Sequence, residues 1–270
     1  MKPVDRAARS PLKFFCLVFA LAIPIGLAGR SLGIVGSMKI PVSDLALAFV
    51  PMIAALILVA AEQGWRAAGC LLKQTFELNA LRDVRWLSAT LGLAPLIYFL
   101  TWALVRLSGG EGIAEINPAS ILVLFVVFFL LALGEEVGWT GYATEPLQSR
   151  WGALGAALIL AGPWWLAHLP SMAAVGATAP DMAWWVLGAV GVRILIVWLF
   201  NSTAKSILAA VLFHALLNAG RAASFPSAGS QYAPRYQIVS YLVIGSLATA
   251  VVLFAGPKFL RFPDQRRGQG

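Results

Sequence analysis

Two adjacent carboxylates, Glu135 and Glu136, close an almost pure hydrocarbon run from Ile121 to Leu133, and the chain's two histidines, His168 and His214, also sit inside apolar runs. Asn218 follows His214 by four residues. A charge in hydrocarbon costs at least about 2.5–3.5 kcal/mol on insertion scales, so such groups are mostly retained for function. The chemistry that wants them together is water activation. A carboxylate in a low-dielectric cavity can act as general base, and a histidine can share the water or protonate a leaving amine. A second histidine and an asparagine amide can donate hydrogen bonds to a developing oxyanion. That is a hydrolase set with no serine or cysteine nucleophile. The donors Glu135, His168 and His214 could instead hold zinc with a position open for water, although no His-Glu-x-x-His helix is present.

These groups meet only if the helices carrying them bring them to one depth. At the helical rise per residue, His168 stands ~24 Å above the side of the membrane carrying Gly152 and Ala204, His214 ~15 Å and Asn218 ~21 Å. Glu135 reaches ~15 Å only if its helix runs on through the Glu pair to about Pro146. His214 and Asn218, four residues apart, share one face. Glu135 and Glu136 lie ~100° apart, so each needs its own partner.

The composition requires the same setting. Sixty per cent of the 270 residues are hydrophobic and 12% are charged, against about 25% charged in a soluble domain. Apolar runs near twenty residues recur along the chain, which reads as one all-α polytopic membrane domain over 1–270, with about eight transmembrane helices around an intramembrane polar cavity. The expected spans are 12–29, 43–61, 86–105, 118 to about 146, 152–168, 181–200, 204–219 and 237–255. Segment 62–85 reads as an amphipathic surface helix, 108–117 as an acidic, glycine-rich loop, and the residues after 255 as a basic tail. The first apolar run is long enough to be a retained helix rather than a signal peptide. Asp44 falls at a membrane edge, and the tryptophans, Trp164 among them, read mainly as interfacial belt and packing.

A net charge of +8 could point to nucleic acid. The Lys and Arg residues cluster beside apolar spans, as topology demands, and a nucleic-acid partner is not expected. Their bias between alternate connections places both termini in the cytoplasm, with the protein in the plasma membrane if the host is a bacterium. Cys16 and Cys70 read as small buried apolar residues. The partners expected are the lipid bilayer and a membrane-associated peptide or protein.

Three stretches carry a resemblance: Gly134-Glu135-Glu136-Val137-Gly138-Trp139, Trp165-Leu166-Ala167-His168-Leu169-Pro170, and His214-Ala215-Leu216-Leu217-Asn218. In this order and spacing they resemble the three motifs of the CAAX-protease and bacteriocin-processing (CPBP, or Abi) intramembrane proteases. The resemblance covers about 118–219, the motif-bearing core, and Trp198–Thr203 before the third motif is also similar to bacterial members. It implies an endopeptidase in which Glu135 activates water together with His168, His214 and Asn218 form the oxyanion site, and Glu136 is a supporting carboxylate. Of the two mechanisms it leaves, a zinc-bound water and a metal-independent glutamate, the second is favoured, so no cofactor is expected.

One position departs from the pattern. The first motif is normally Glu-Glu-x-x-x-Arg, and Thr140 stands where the arginine belongs. A hydroxyl cannot neutralise Glu136. Arg193, the one arginine inside a span, is the natural candidate, since pairing would remove two burial penalties with one contact; the other reading is an arginine that snorkels to the interface. Thr140 itself reads as a hydroxyl satisfied by its helix. If no cation reaches Glu136, the chain is instead an inactive member that binds a membrane peptide as a chaperone or sensor. A proton-coupled transporter using Glu135 and His168 as a relay is the third reading; the lack of an inverted repeat counts against it.

Overall fold

In a bilayer, backbone polar groups can be satisfied only inside helices or a closed barrel, and helices are what this chain forms. A computed structural model describes residues 9–29, 33–35, 40–78, 81–109, 118–224 and 234–258. Its helices are α1 (Pro11–Gly29), α2 (Val42–Leu47), α3 (Val50–Gln63), α4 (Trp65–Thr75), α5 (Val84–Leu107), α6 (Pro118–Gly138), α7 (Glu145–Ala174), α8 (Ala179–Ser202), α9 (Ile207–Ser224) and α10 (Pro234–Ala255). A π-helical segment, Trp139–Thr144, joins α6 to α7. The only strands among the described residues are β1 (Ile34–Val35) and β2 (Ile40–Pro41), an antiparallel pair of two residues each.

Among the described residues six helical stretches are long and apolar enough to cross a membrane, against the eight spans expected. The difference has a physical cause. One candidate, Ile121–Ala174, runs through Gly152, whose φ of 70° and ψ of 174° bend the chain where the fifth span was expected to begin. The expected seventh span falls on a shorter apolar helix, Ile207–Ala223. Past the bend, Ala153 and Leu154 donate to the carbonyls of Lys258 and Pro257, so the chain after α10 caps the restarted helix. The amphipathic segment appears as α4, which buries Ala68, Leu71 and Thr75 on one face. The expected loop 108–117 and basic tail lie outside the described residues apart from their first few positions.

The long helices close a ring in the order α1, α3, α6, α9, α5, α10, α8, α7 and back to α1, each packed on the next. The C-terminal half of α8 is the most enclosed stretch: every residue from Gly191 to Thr203 is buried. Such a helix, apolar all round, belongs inside the bundle. Helix α6 approaches α2 and α3 through two glycines. A Cβ on Gly134 would stand 2.5 Å from the Ala48 carbonyl oxygen, and one on Gly138 would stand 2.4 Å from that of Pro51. Small residues four apart let two membrane helices meet backbone to backbone, and here they bracket the Glu pair.

Gly138→Ala is therefore expected to destabilise the protein by roughly 1–3 kcal/mol, the usual cost of overpacking. Gly92→Ala, whose new Cβ meets nothing within 4 Å, serves as the control. Thermal unfolding in detergent measures both; equal midpoints would mean that the α6 contact is not close.

Candidate active site

The helix carrying the Glu pair continues past it, as a shared depth requires, but by a π turn rather than by α-helix. Thr144 Oγ1 donates to the Trp139 carbonyl five residues back, at 3.0 Å. In π geometry the Gly141 carbonyl would seek the N–H of residue 146, which is Pro146 and has none. The buried Arg9 supplies the missing donor, Nη1 to Gly141 O at 2.7 Å, with its guanidinium 5.2 Å from the centre of the Tyr142 ring. Phe14 of α1 packs edge-on to Trp139 and stacks on Tyr142. The π turn is thus clamped from the N-terminal side, by residues that the sequence reading had not connected with the site.

Glu136 points away from the cavity and is fully buried. Arg193 grips it with two parallel bonds, Nη1 to Oε2 at 3.0 Å and Nη2 to Oε1 at 2.9 Å. His214 Nδ1 lies 2.9 Å from Oε1, and the Thr140 hydroxyl donates to Oε2. A carboxylate accepts at about four lone-pair sites, so four donors saturate it. The expected pairing of Arg193 with Glu136 is what the structure contains, and Thr140 adds a bond where only a helix-satisfied hydroxyl was expected.

Glu135, His168, His214 and Asn218 come together on the wall of a single cavity. Glu135 accepts from Trp164 Nε1 at 2.6 Å on Oε2 and lines the cavity. His168 Nδ1 lies 2.8 Å from the Trp164 carbonyl. A carbonyl and a carboxylate only accept, so both histidines carry their proton on Nδ1, and Nε2 is the nitrogen left to the cavity. Trp164, which the sequence places in the belt and packing, is also a member of the site, touching Glu135, His168, His214 and Arg193. Its only signal in the sequence is its place one helical turn before His168. Asp44, expected at a membrane edge, lines the cavity wall, where it accepts from Ser171 of α7.

A zinc ion shared by Glu135, His168 and His214 would need three donors converging at about 2.0–2.2 Å. Among the described residues no three His, Cys, Asp or Glu side chains are grouped in that way.

Fold and cavity define an integral membrane protein of the helical class with a hydrolase-like polar centre enclosed among its helices. The family model "Rce1-like: Type II CAAX prenyl endopeptidase" matches residues 117–220. The CAAX prenyl protease 2 of Methanococcus maripaludis is 26% identical over 183 residues, 62% of this chain and 67% of that protein. Both matches agree with the resemblance carried by the three motifs and support, at the family level, an intramembrane protease of the CPBP type.

Removing Arg193 leaves a buried carboxylate uncompensated, which costs about 3–5 kcal/mol. Arg193→Gln is expected to lower the unfolding midpoint accordingly and to abolish activity, and Thr140→Arg in that background to recover part of both. A stable Arg193→Gln protein would show that the pair is dispensable.

Proposed function

We propose that this chain is an endopeptidase that cleaves a membrane-associated peptide by a metal-independent glutamate mechanism. The observation that carries the reading is the division of labour between the two carboxylates. Glu136 has all its acceptor sites taken and cannot meet a water, whereas Glu135 lines the cavity with one oxygen engaged. Glu135 takes a proton from water as the hydroxide attacks the scissile carbonyl, and His168 Nε2 shares that water. The oxyanion that forms meets the Asn218 amide, which donates to it, and His214, which Glu136 holds in place through Nδ1. The proton held by Glu135 or His168 passes to the leaving amine, which completes the hydrolysis. Glu136 and Arg193 act as scaffold.

The alternative of an inactive peptide-binding member rested on Thr140. Arg193 reaches Glu136 from α8 and supplies the charge that Thr140 lacks, which favours the active reading. The substrate class follows from the relatives: the name of the methanococcal protein specifies a CAAX prenyl protease, and a cavity among apolar helices suits a chain that a lipid anchor holds at the bilayer. The charge bias of the connections supports both termini in the cytoplasm.

Purified protein incubated with a library of lipidated and unmodified peptides in bilayers tests this. Wild type is expected to cleave a lipidated subset and Glu135→Gln to lose about 10²–10⁴-fold, the usual contribution of a general base. Cleavage undiminished in Glu135→Gln would refute the assignment. A chelator is expected to leave the wild-type rate unchanged, and loss that zinc restores would overturn the metal-independent mechanism.

A further inference from the structure

Trp164 sits where the two halves of the site meet, and its groups are used separately. Its indole N–H donates to Glu135 Oε2 at 2.6 Å. The face of the same ring lies under the Arg193 guanidinium, 4.3 Å from carbon to ring centre. Its carbonyl takes the His168 Nδ1 proton at 2.8 Å, and its edges meet both imidazoles, with ring centres 5.0 Å from His168 and 5.7 Å from His214. The side chain is 2% exposed. A large planar ring locked by packing on one face and a cation on the other holds its N–H in one direction. A carboxylate has two oxygens of equal basicity, and a site that leaves both free does not define where the water sits.

We propose that Trp164 is a positioning residue that selects the catalytic oxygen of Glu135: by occupying Oε2 it leaves Oε1 as the oxygen that meets the water. The same residue fixes the tautomer of His168 through its carbonyl, so the two groups that share the water are set by one turn of α7. The proposal rests on the endopeptidase reading for its catalytic consequence, but the bond between Trp164 and Glu135 stands apart from it.

Trp164→Phe tests the positioning. It keeps an aromatic face for Arg193 and removes the N–H together with part of the buried ring, so the substrate-free arm is what isolates the hydrogen bond. Turnover (kcat) is expected to fall about 10²-fold, the scale of a misplacement near 1 Å, with KM within about twofold of wild type. Turnover equal to wild type would overturn the proposal. A second arm needs no substrate. In protein labelled with nitrogen-15 at the indoles, the resonance absent from Trp164→Phe belongs to Trp164. That resonance is expected to shift in Glu135→Gln, and its failure to move would overturn the proposal whether or not the protein cleaves anything. If no peptide is cleaved by wild type but the resonance moves, the enzymatic reading fails while the hold of Trp164 on Glu135 is supported.

Discussion

A carboxylate enclosed among membrane helices has to be neutralised and saturated with donors, and the demands of Glu136 organise this protein. Its nearest helical neighbour at the right spacing is Thr140, which donates a bond but no charge. The cation therefore comes from another helix. That forces α8, with Arg193 at its buried middle, into the interior against α7 and α10. Arg193 needs company as well, and finds it in the face of Trp164. The guanidinium suits this place because its planar fork matches both carboxylate oxygens while its face stacks on an aromatic ring. His214 completes the shell, so the carboxylate that does no chemistry holds in place a histidine that faces the cavity.

The backbone answers the same demand. Glycines at 134 and 138 let α6 press against α2 and α3 with the Glu pair between the two contacts. Directly beyond, the helix widens into a π turn, a local irregularity common at functional sites. The turn exposes the Gly141 carbonyl, and Arg9 returns from the start of the chain to meet it. Aromatic contacts from Phe14 and Phe15 to Trp139 hold α1 against the same place. Irregular backbone at membrane depth is tolerated where protein surrounds it, and the N-terminal helix is what surrounds this turn.

Much of this was legible in the sequence for identifiable reasons. Apolar runs and the rarity of charge mark the helices, and the rise per residue places Glu135, His168, His214 and Asn218 at one depth. The Arg193–Glu136 pair followed from elimination, since one intramembrane arginine and one carboxylate without a motif partner leave few choices. What stayed hidden depended on direction rather than on composition. An indole presents the same apolar mass whether it faces lipid or donates to Glu135, so Trp164 passed for packing. Asp44 sits near a helix start and reads as a surface group until α7 is laid beside it with Ser171. The π turn has no periodicity of its own, and its one trace, a proline at 146, looks like an ordinary helix end. The span count also blurred, because only the bend at Gly152 separates the fourth apolar segment from the fifth.

Placing the countercharge on α8 has a consequence for how the protein is made. An arginine four residues after Glu136 would enter the bilayer in the same helix and neutralise the carboxylate as it inserts. Arg193 is synthesised 57 residues later, after the whole of α7. Helix α6 must therefore enter the membrane with two acidic side chains and no cation of its own, a state that its long apolar run of Ile121 to Leu133 is well suited to carry. Arg193 arrives in α8 with the opposite deficit. Neither helix is content alone in lipid, and their union removes both charges from hydrocarbon at once. The site is thus assembled late in biogenesis, and the pull between α6 and α8 draws the bundle closed around the cavity only when the second of them has been delivered.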